Sequence, residues 1–269
     1  MAHLHFHILG SGSKGNCALV EGPRGLVMID NGLSRREVLK RMEQLDLHVE
    51  DVAALLITHE HSDHVKGLPV WCKHWHGPLY TTTGTASARD SLKTLPFEEF
   101  EPGDSLELAG VHIDTFATSH DVVNPVGFRF STDDDAIGYV TDTGVLSEYA
   151  MSLLYDVRIL ALESNHDVSM LRSGNYPRYL QERILSDHGH LSNDQAADAV
   201  QALITGRTEH IVAMHISQEN NTPATAIKSL ASALHVTPDN AICSTATLYR
   251  NNDKLAIQAA SQSQPITIE

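Results

Sequence analysis

Apolar runs of four to seven residues recur along the chain, and most of them stop at a compact polar cluster. Such runs predict strands. The first, Leu4–Leu9, alternates His3, His5 and His7 with Leu4, Phe6 and Ile8, so its histidines read as the polar face of a strand. Further strands are predicted at Cys17–Glu21, Leu26–Ile29, Ala53–Ile57, Pro78–Thr81, Ser105–Leu108 and Val111–Phe116. Gly127–Ser131 and Ala136–Val140 read as a hairpin around Asp133-Asp134-Asp135, and Ile159–Leu162 and His210–Met214 as buried strands.

Helical periodicity fills the gaps. Ser34 is positioned to cap a helix over Arg35–Leu45, with Val38, Leu39, Met42 and Leu45 on one face. A second helix is expected from near Asp63 through Val65, Leu68 and Trp71, and a third at Ser147–Leu154. Ser192-Asn193-Asp194-Gln195 is a capping box opening a helix to about Ile204, and Pro223–Leu234 reads as the last helix. The stretch with Arg172, Arg178 and Arg183 looks irregular, and the tail after about residue 259 frayed. With no linker or low-complexity segment, residues 1–269 read as a single domain.

What ends the strands carries the chemistry. Five runs finish in residues of metal-binding type: Asp30, then His59/His61/Asp63/His64, then His120, Asp142 and His215. Strands ending at one locus with helices outside predict an α/β layered fold with its site at a sheet edge. His59–His64 packs three imidazoles and two carboxylates into six residues. Imidazole and carboxylate bind divalent transition metals. Asp30, with no neighbouring imidazole, is assigned to orienting a ligand. The turn Gly10–Asn16 leads into a strand and lacks a Lys-Ser/Thr ending, so it is not a phosphate-binding loop but a turn bringing backbone amides near a site.

Composition narrows the setting. A chain of 269 residues, 42% hydrophobic and 20% charged, can bury a sizeable core. No run is long enough to span a membrane, and the start lacks a secretion-signal pattern. Three scattered cysteines (Cys17, Cys72, Cys243) suit reduced thiols and a cytoplasmic location. A net charge of −15 counts against a long polyanionic partner. Two divalent cations would return about four positive charges to the site.

His59-x-His61-x-Asp63-His64, with Asp30, His120, Asp142 and His215 in order, resembles the metallo-β-lactamase superfamily over roughly the whole chain. The resemblance implies a four-layered αβ/βα sandwich with two divalent ions: zinc, with manganese or iron as alternatives. By that match one ion takes His59, His61 and His120, the other Asp63, His64 and His215, and Asp142 bridges them. A hydroxide held between them would attack the substrate. Oxygen-reducing di-iron relatives carry a carboxylate where this chain has His61, which points to hydrolysis.

Glu163 and His190 resemble the pair of ribonuclease Z-type phosphodiesterases, in which the histidine contacts phosphate and helps protonate the leaving group. With Asp63 they are the candidate catalytic residues. Gly10–Asn16, Ser164-Asn165-His166-Asp167, Gly189–Asn193 and Glu219–Pro223 resemble the YycJ/WalJ branch. That branch implies a 5′-exonuclease acting on DNA, and the lack of a membrane-spanning run leaves no membrane partner expected. A thioester or lactam hydrolase and a non-catalytic binding protein of the same fold are the alternatives. His166 and His188 are candidates for substrate contact or an auxiliary metal, and otherwise ordinary surface histidines. Arg172, Arg178 and Arg183 could meet phosphate or form a solvated face.

Overall fold

In the computed structural model, which describes residues 3–250 and 253–269, the first apolar runs become β1 (His5–Gly10), β2 (Cys17–Gly22) and β3 (Gly25–Ile29), joined antiparallel. On β3 follow β4 (Val52–Leu56), β5 (Leu79–Thr82) and β6 (Phe97–Phe100), all parallel. A further antiparallel set is β7 (Ser105–Leu108), β8 (Val111–Ala117) and β9 (Val126–Ser131). These strands belong to the first of two compact units, made of residues 3–117, 122–135 and 261–269.

The second unit comprises residues 118–121, 136–250 and 253–260. Its strands are β10 (Ala136–Val140), β11 (Ile159–Glu163), β12 (His210–Met214), β13 (Thr245–Arg250) and β14 (Asp253–Ala259). β10, β11, β12 and β14 run parallel in that order, and β13 lies antiparallel on β14. Every residue of β10 and β11 is buried, which explains their continuous apolar sequence. The helices Asn193–Leu203 and Pro223–Ala233 pack on one another.

Three expectations need correction. The tail is not frayed: β15 (Ile266–Ile268) pairs antiparallel with β1, setting Ile268 opposite Phe6 and Thr267 opposite His7. Arg41 anchors the approach to it, donating from Nη1 to Leu9 O at 2.7 Å and to Gln262 O at 2.9 Å. The helix expected through Trp71 is two short ones, Ser62–Val65 and Leu68–Trp71. Gly67 lies between them with its backbone against Asn31: a Cβ there would lie 2.1 Å from Asn31 Oδ1. The basic segment is helical, Val168–Ser173 capped by Asp167 and Arg178–Ile184 entered through Pro177.

The capped helices formed as expected. Ser34 accepts from Glu37 N, and both halves of the Ser192/Gln195 box are present. Val38 and Met42 of the first helix pack over Leu19, Met28 and Leu55 in the core of the first unit. No helix among the described residues is long and apolar enough to cross a membrane.

Candidate metal centre

Three strands end in a residue with left-handed backbone. Asp30 follows β3 at φ 59°, Asp142 follows β10 at φ 56°, and His215 follows β12 at φ 52°. Asp and His tolerate this region better than most residues, yet it still costs roughly 1–2 kcal/mol. Such strain is held where a site needs a side chain aimed off the end of its strand.

In the first unit Asp30, His59, His61, Asp63 and His64 come together. Asp30 is fully buried and accepts from Thr58 N at 2.8 Å, Thr58 Oγ1 at 2.9 Å and His64 Nδ1 at 2.7 Å. Asp30 therefore orients His64, as its position implied. The His59 ring lies 4.0 Å from that of His64 and 4.9 Å from that of His61. Asn16, at the end of the glycine turn, supports the run from the other side. Its N donates to Asp63 O at 2.7 Å, and its Nδ2 reaches His64 Nε2 at 3.0 Å and Asp63 Oδ2 at 3.2 Å. The turn thus supplies one backbone amide to the run. Gly32 is required where it passes the run, since a Cβ there would meet Asp63 O at 1.5 Å.

The two acids of the run diverge. Glu60 Oε1 accepts from Val123 N at 2.9 Å, so it ties down a loop, whereas Asp63 stays beside His64 Nε2 at 3.6 Å.

In the second unit His120, Asp142, Glu163, His190 and His215 come together. Asp142 Oδ1 lies 3.4 Å from His215 Nδ1, 3.7 Å from His190 Nδ1 and 3.8 Å from His120 Nε2. Glu163, fully buried, accepts on Oε1 from His190 Nδ1 at 2.8 Å and His215 Nδ1 at 3.0 Å. Its Oε2 accepts from Thr143 N and Leu191 N, each at 3.0 Å. Burial alone would raise the Glu163 carboxyl, but the charge and hydrogen bonds of His190, with the bond from His215, hold it below the usual carboxylate range. Burial lowers the His120 imidazole.

The donor set fits divalent metal, and the hydrogen bonds say which atoms would ligate. A ring nitrogen facing a carboxylate or carbonyl must donate. His64 Nδ1 donates to Asp30, His215 Nδ1 to Glu163, and His120 Nδ1 to Gly189 O at 3.0 Å. Each thus carries its lone pair on Nε2, the arrangement metal-ligating histidines use. Replacing Asp30 by Asn puts an amide donor against His64 Nδ1 or Thr58. The expected result is a roughly 10–100-fold loss of zinc affinity, measured by competition with a chromogenic chelator; unchanged affinity would remove Asp30 from this role.

Several contributors lie in motifs to which the sequence assigned no role. Asn221 Nδ2 donates to Ser164 O at 2.9 Å, Asn165 O at 3.0 Å and Asn193 Oδ1 at 2.9 Å. Asn165 Nδ2 donates to His215 O at 2.8 Å. This buried amide network holds the backbones that carry Glu163 and His215, and it explains three of the polar motifs. His188 Nδ1 meets Ser119 Oγ at 3.0 Å, while His166 is buried rather than a surface residue. Burial also depresses its imidazole, to about 4. Arg183 pairs with Asp121 and Arg178 with Glu182, so two of the three arginines already hold carboxylates. At the start of the helix after His190, Asn193 N donates to His166 O and Gln195 N to Ser192 Oγ.

Residues 26–216 match a family model described as a Beta-lactamase superfamily domain. Exodeoxyribonuclease YycJ of Bacillus anthracis is 36% identical over 235 residues, which are 86% of this chain and 89% of that protein. Exodeoxyribonuclease WalJ of Streptococcus pneumoniae is 37% identical over 232 residues, 84% of each. Among solved structures, the metallo-β-lactamase fold protein YhfI of Bacillus subtilis aligns with a TM-score of 0.68 at 13% identity, covering 98% of this chain and 99% of its own. The expected α/β metallo-β-lactamase fold is borne out.

Proposed function

The chain belongs to the metallo-β-lactamase superfamily, in the branch of YycJ and WalJ, and from that premise we propose that it is a metal-dependent exonuclease hydrolysing DNA from 5′ ends. Residues 1–269 act as one catalytic domain in this reading. His59, His61 and His120 would hold one divalent ion and Asp63, His64 and His215 the other, with Asp142 shared. Zinc suits this nitrogen and oxygen set, and manganese or iron share it. Such ions, when bound, polarise a phosphoryl oxygen and make water nucleophilic near neutral pH.

The observation that carries the reading is the Glu163–His190 pair at 2.8 Å. His190 keeps a side chain 19% exposed beside a carboxylate that is fully buried. An imidazole anchored through Nδ1 can hold its second proton at Nε2 and give it to a departing alkoxide. As water adds to phosphorus, releasing one proton to solvent, and the P–O bond breaks, the leaving oxygen takes the Nε2 proton and His190 remains neutral with Nδ1–H on Glu163. Phosphodiester cleavage needs such a donor because its leaving group is a poor one. The DNA preference is supported by the names of the relatives, and three free cysteines support a cytoplasmic setting.

The test assays the metal-loaded protein on 5′-phosphorylated and 5′-hydroxyl DNA and RNA, single- and double-stranded, beside bis(p-nitrophenyl) phosphate and a glutathione thioester. Nucleotide release from DNA 5′ ends is expected. Turnover of the thioester alone would sink the nuclease reading.

A further inference from the structure

At the opposite end of β1, β2 and β3 from Asp30, the face expected to be merely polar holds a convergent group. β1 and β2 are in register with His5 opposite Glu21, and His7 lies two residues along the same face. His5 Nδ1 lies 3.3 Å from Glu21 Oε2, and His7 Nε2 lies 3.1 Å from the same oxygen. One ligand atom from each of the three residues falls within 4.8 Å of the others. Glu21 pairs with Leu26, four residues before Asp30. At about 3.3–3.4 Å per residue that separates the group from Asp30 by roughly 13 Å along β3.

We propose that His5, His7 and Glu21 form a further zinc site, independent of the catalytic residues. Zinc bonded at 2.0–2.2 Å in a tetrahedron spaces its ligand atoms by about 3.3–3.6 Å, and of the two separations from Glu21 one lies at the edge of that range and one 0.2 Å short of it. His7 is not on a solvated face. It is 3% exposed and shares its side of the sheet with Leu9 and Leu19, which belong to the core. Its Nδ1 is held by Thr267 Oγ1 of β15 at 2.9 Å. This fixes the ring with Nε2 towards Glu21, as an outer partner fixes a metal-ligating histidine. His5 and Glu21 have side chains 41% and 45% exposed, which gives an ion a path in and a water its fourth position.

Two imidazoles and one carboxylate select zinc-like ions over magnesium or calcium, which prefer all-oxygen shells. A bound ion would join β1, β2 and, through Thr267, β15. The site is then a structural staple for the terminal strand and has no part in hydrolysis. The competing arrangement is two neutral imidazoles donating to one carboxylate without metal, and the two differ in metal content.

The experiment strips the full-length protein with chelator, reloads it with zinc, and counts metal per chain after gel filtration. His5→Gln and Glu21→Gln are the variants, since both side chains are partly exposed and each change conserves volume. Wild type should retain one equivalent more than either variant and gain more in Tm from zinc. Zinc affinity at this site should fall at least tenfold in each variant, with cleavage of DNA unchanged. Equal metal content and equal Tm gain in all three proteins would overturn the proposal. So would loss of cleavage together with the metal, because the site would then not be independent.

Discussion

Asp63→Ala is expected to abolish metal-dependent cleavage while leaving Tm within a few degrees of wild type. The Asp63 side chain is 19% exposed, and its carboxylate accepts a long hydrogen bond from Asn16 Nδ2 at 3.2 Å and lies 3.6 Å from His64 Nε2. Its backbone oxygen accepts from Asn16 N at 2.7 Å, a bond that survives the substitution. Truncating a partly buried carboxylate while its backbone bond is kept is expected to cost about 1 kcal/mol. As a ligand, however, its removal should exceed the roughly 10–100-fold effect typical of groups that only orient ligands. His64→Ala should be equally inactive for a different reason and less stable. Its ring is fully buried against Asp30 and Thr58, so truncation leaves a cavity and takes one partner from a buried carboxylate, about 2–4 kcal/mol together. Metal content and thermal unfolding of both variants separate the two effects. Cleavage that survived both changes would refute the assignment of the second metal.

The strand-to-ligand pattern was legible because apolar runs and metal-binding residues are both local signals. Ser34 and the Ser192/Gln195 box were legible for the same reason: a cap is written within four residues. What escaped depends on distant neighbours. Glu60 and Asp63 look alike in the run, and only Val123 and Thr85 arriving from elsewhere turn Glu60 into a loop anchor. Alternation placed His7 on one face of β1 but could not say that the core continues beneath it. β15 has three residues, too few to show a period, and exists because the edge of β1 offers it backbone partners. The asparagines at 165, 193 and 221 stand in motifs that resemble the branch but carried no assigned role, and only their burial requires the network they form. Glu163 was matched to His190 alone, and its second histidine, His215, lies 52 residues further along the chain.

That double attachment makes Glu163→Gln the most informative single change at the proposed acid. The carboxylate accepts four N–H groups, two per oxygen. Glutamine keeps the shape but turns one acceptor into a donor. If the amide nitrogen faces Thr143 and Leu191, two buried backbone donors lose their acceptor, at about 1–3 kcal/mol each. If it faces the imidazoles, both rings must move their protons to Nε2, which removes the lone pair that His215 would offer a metal. Either way kcat should fall roughly 10²–10⁴-fold, the range general acid catalysis supplies, and zinc affinity should fall with it if the rings rearrange. The pH dependence has a defined sign. The folded carboxyl is held below its ordinary value of 4.5, at about 2. Its stabilising contribution is therefore complete above pH 4.5 and lost as pH falls towards 2. Urea unfolding of the metal-free proteins should show wild type more stable than Glu163→Gln at neutral pH, with the gap closing through that window. A gap that stayed constant down to pH 2.5 would show that the carboxylate is not held by the two imidazoles, and His190 would lose its anchor as the proton donor.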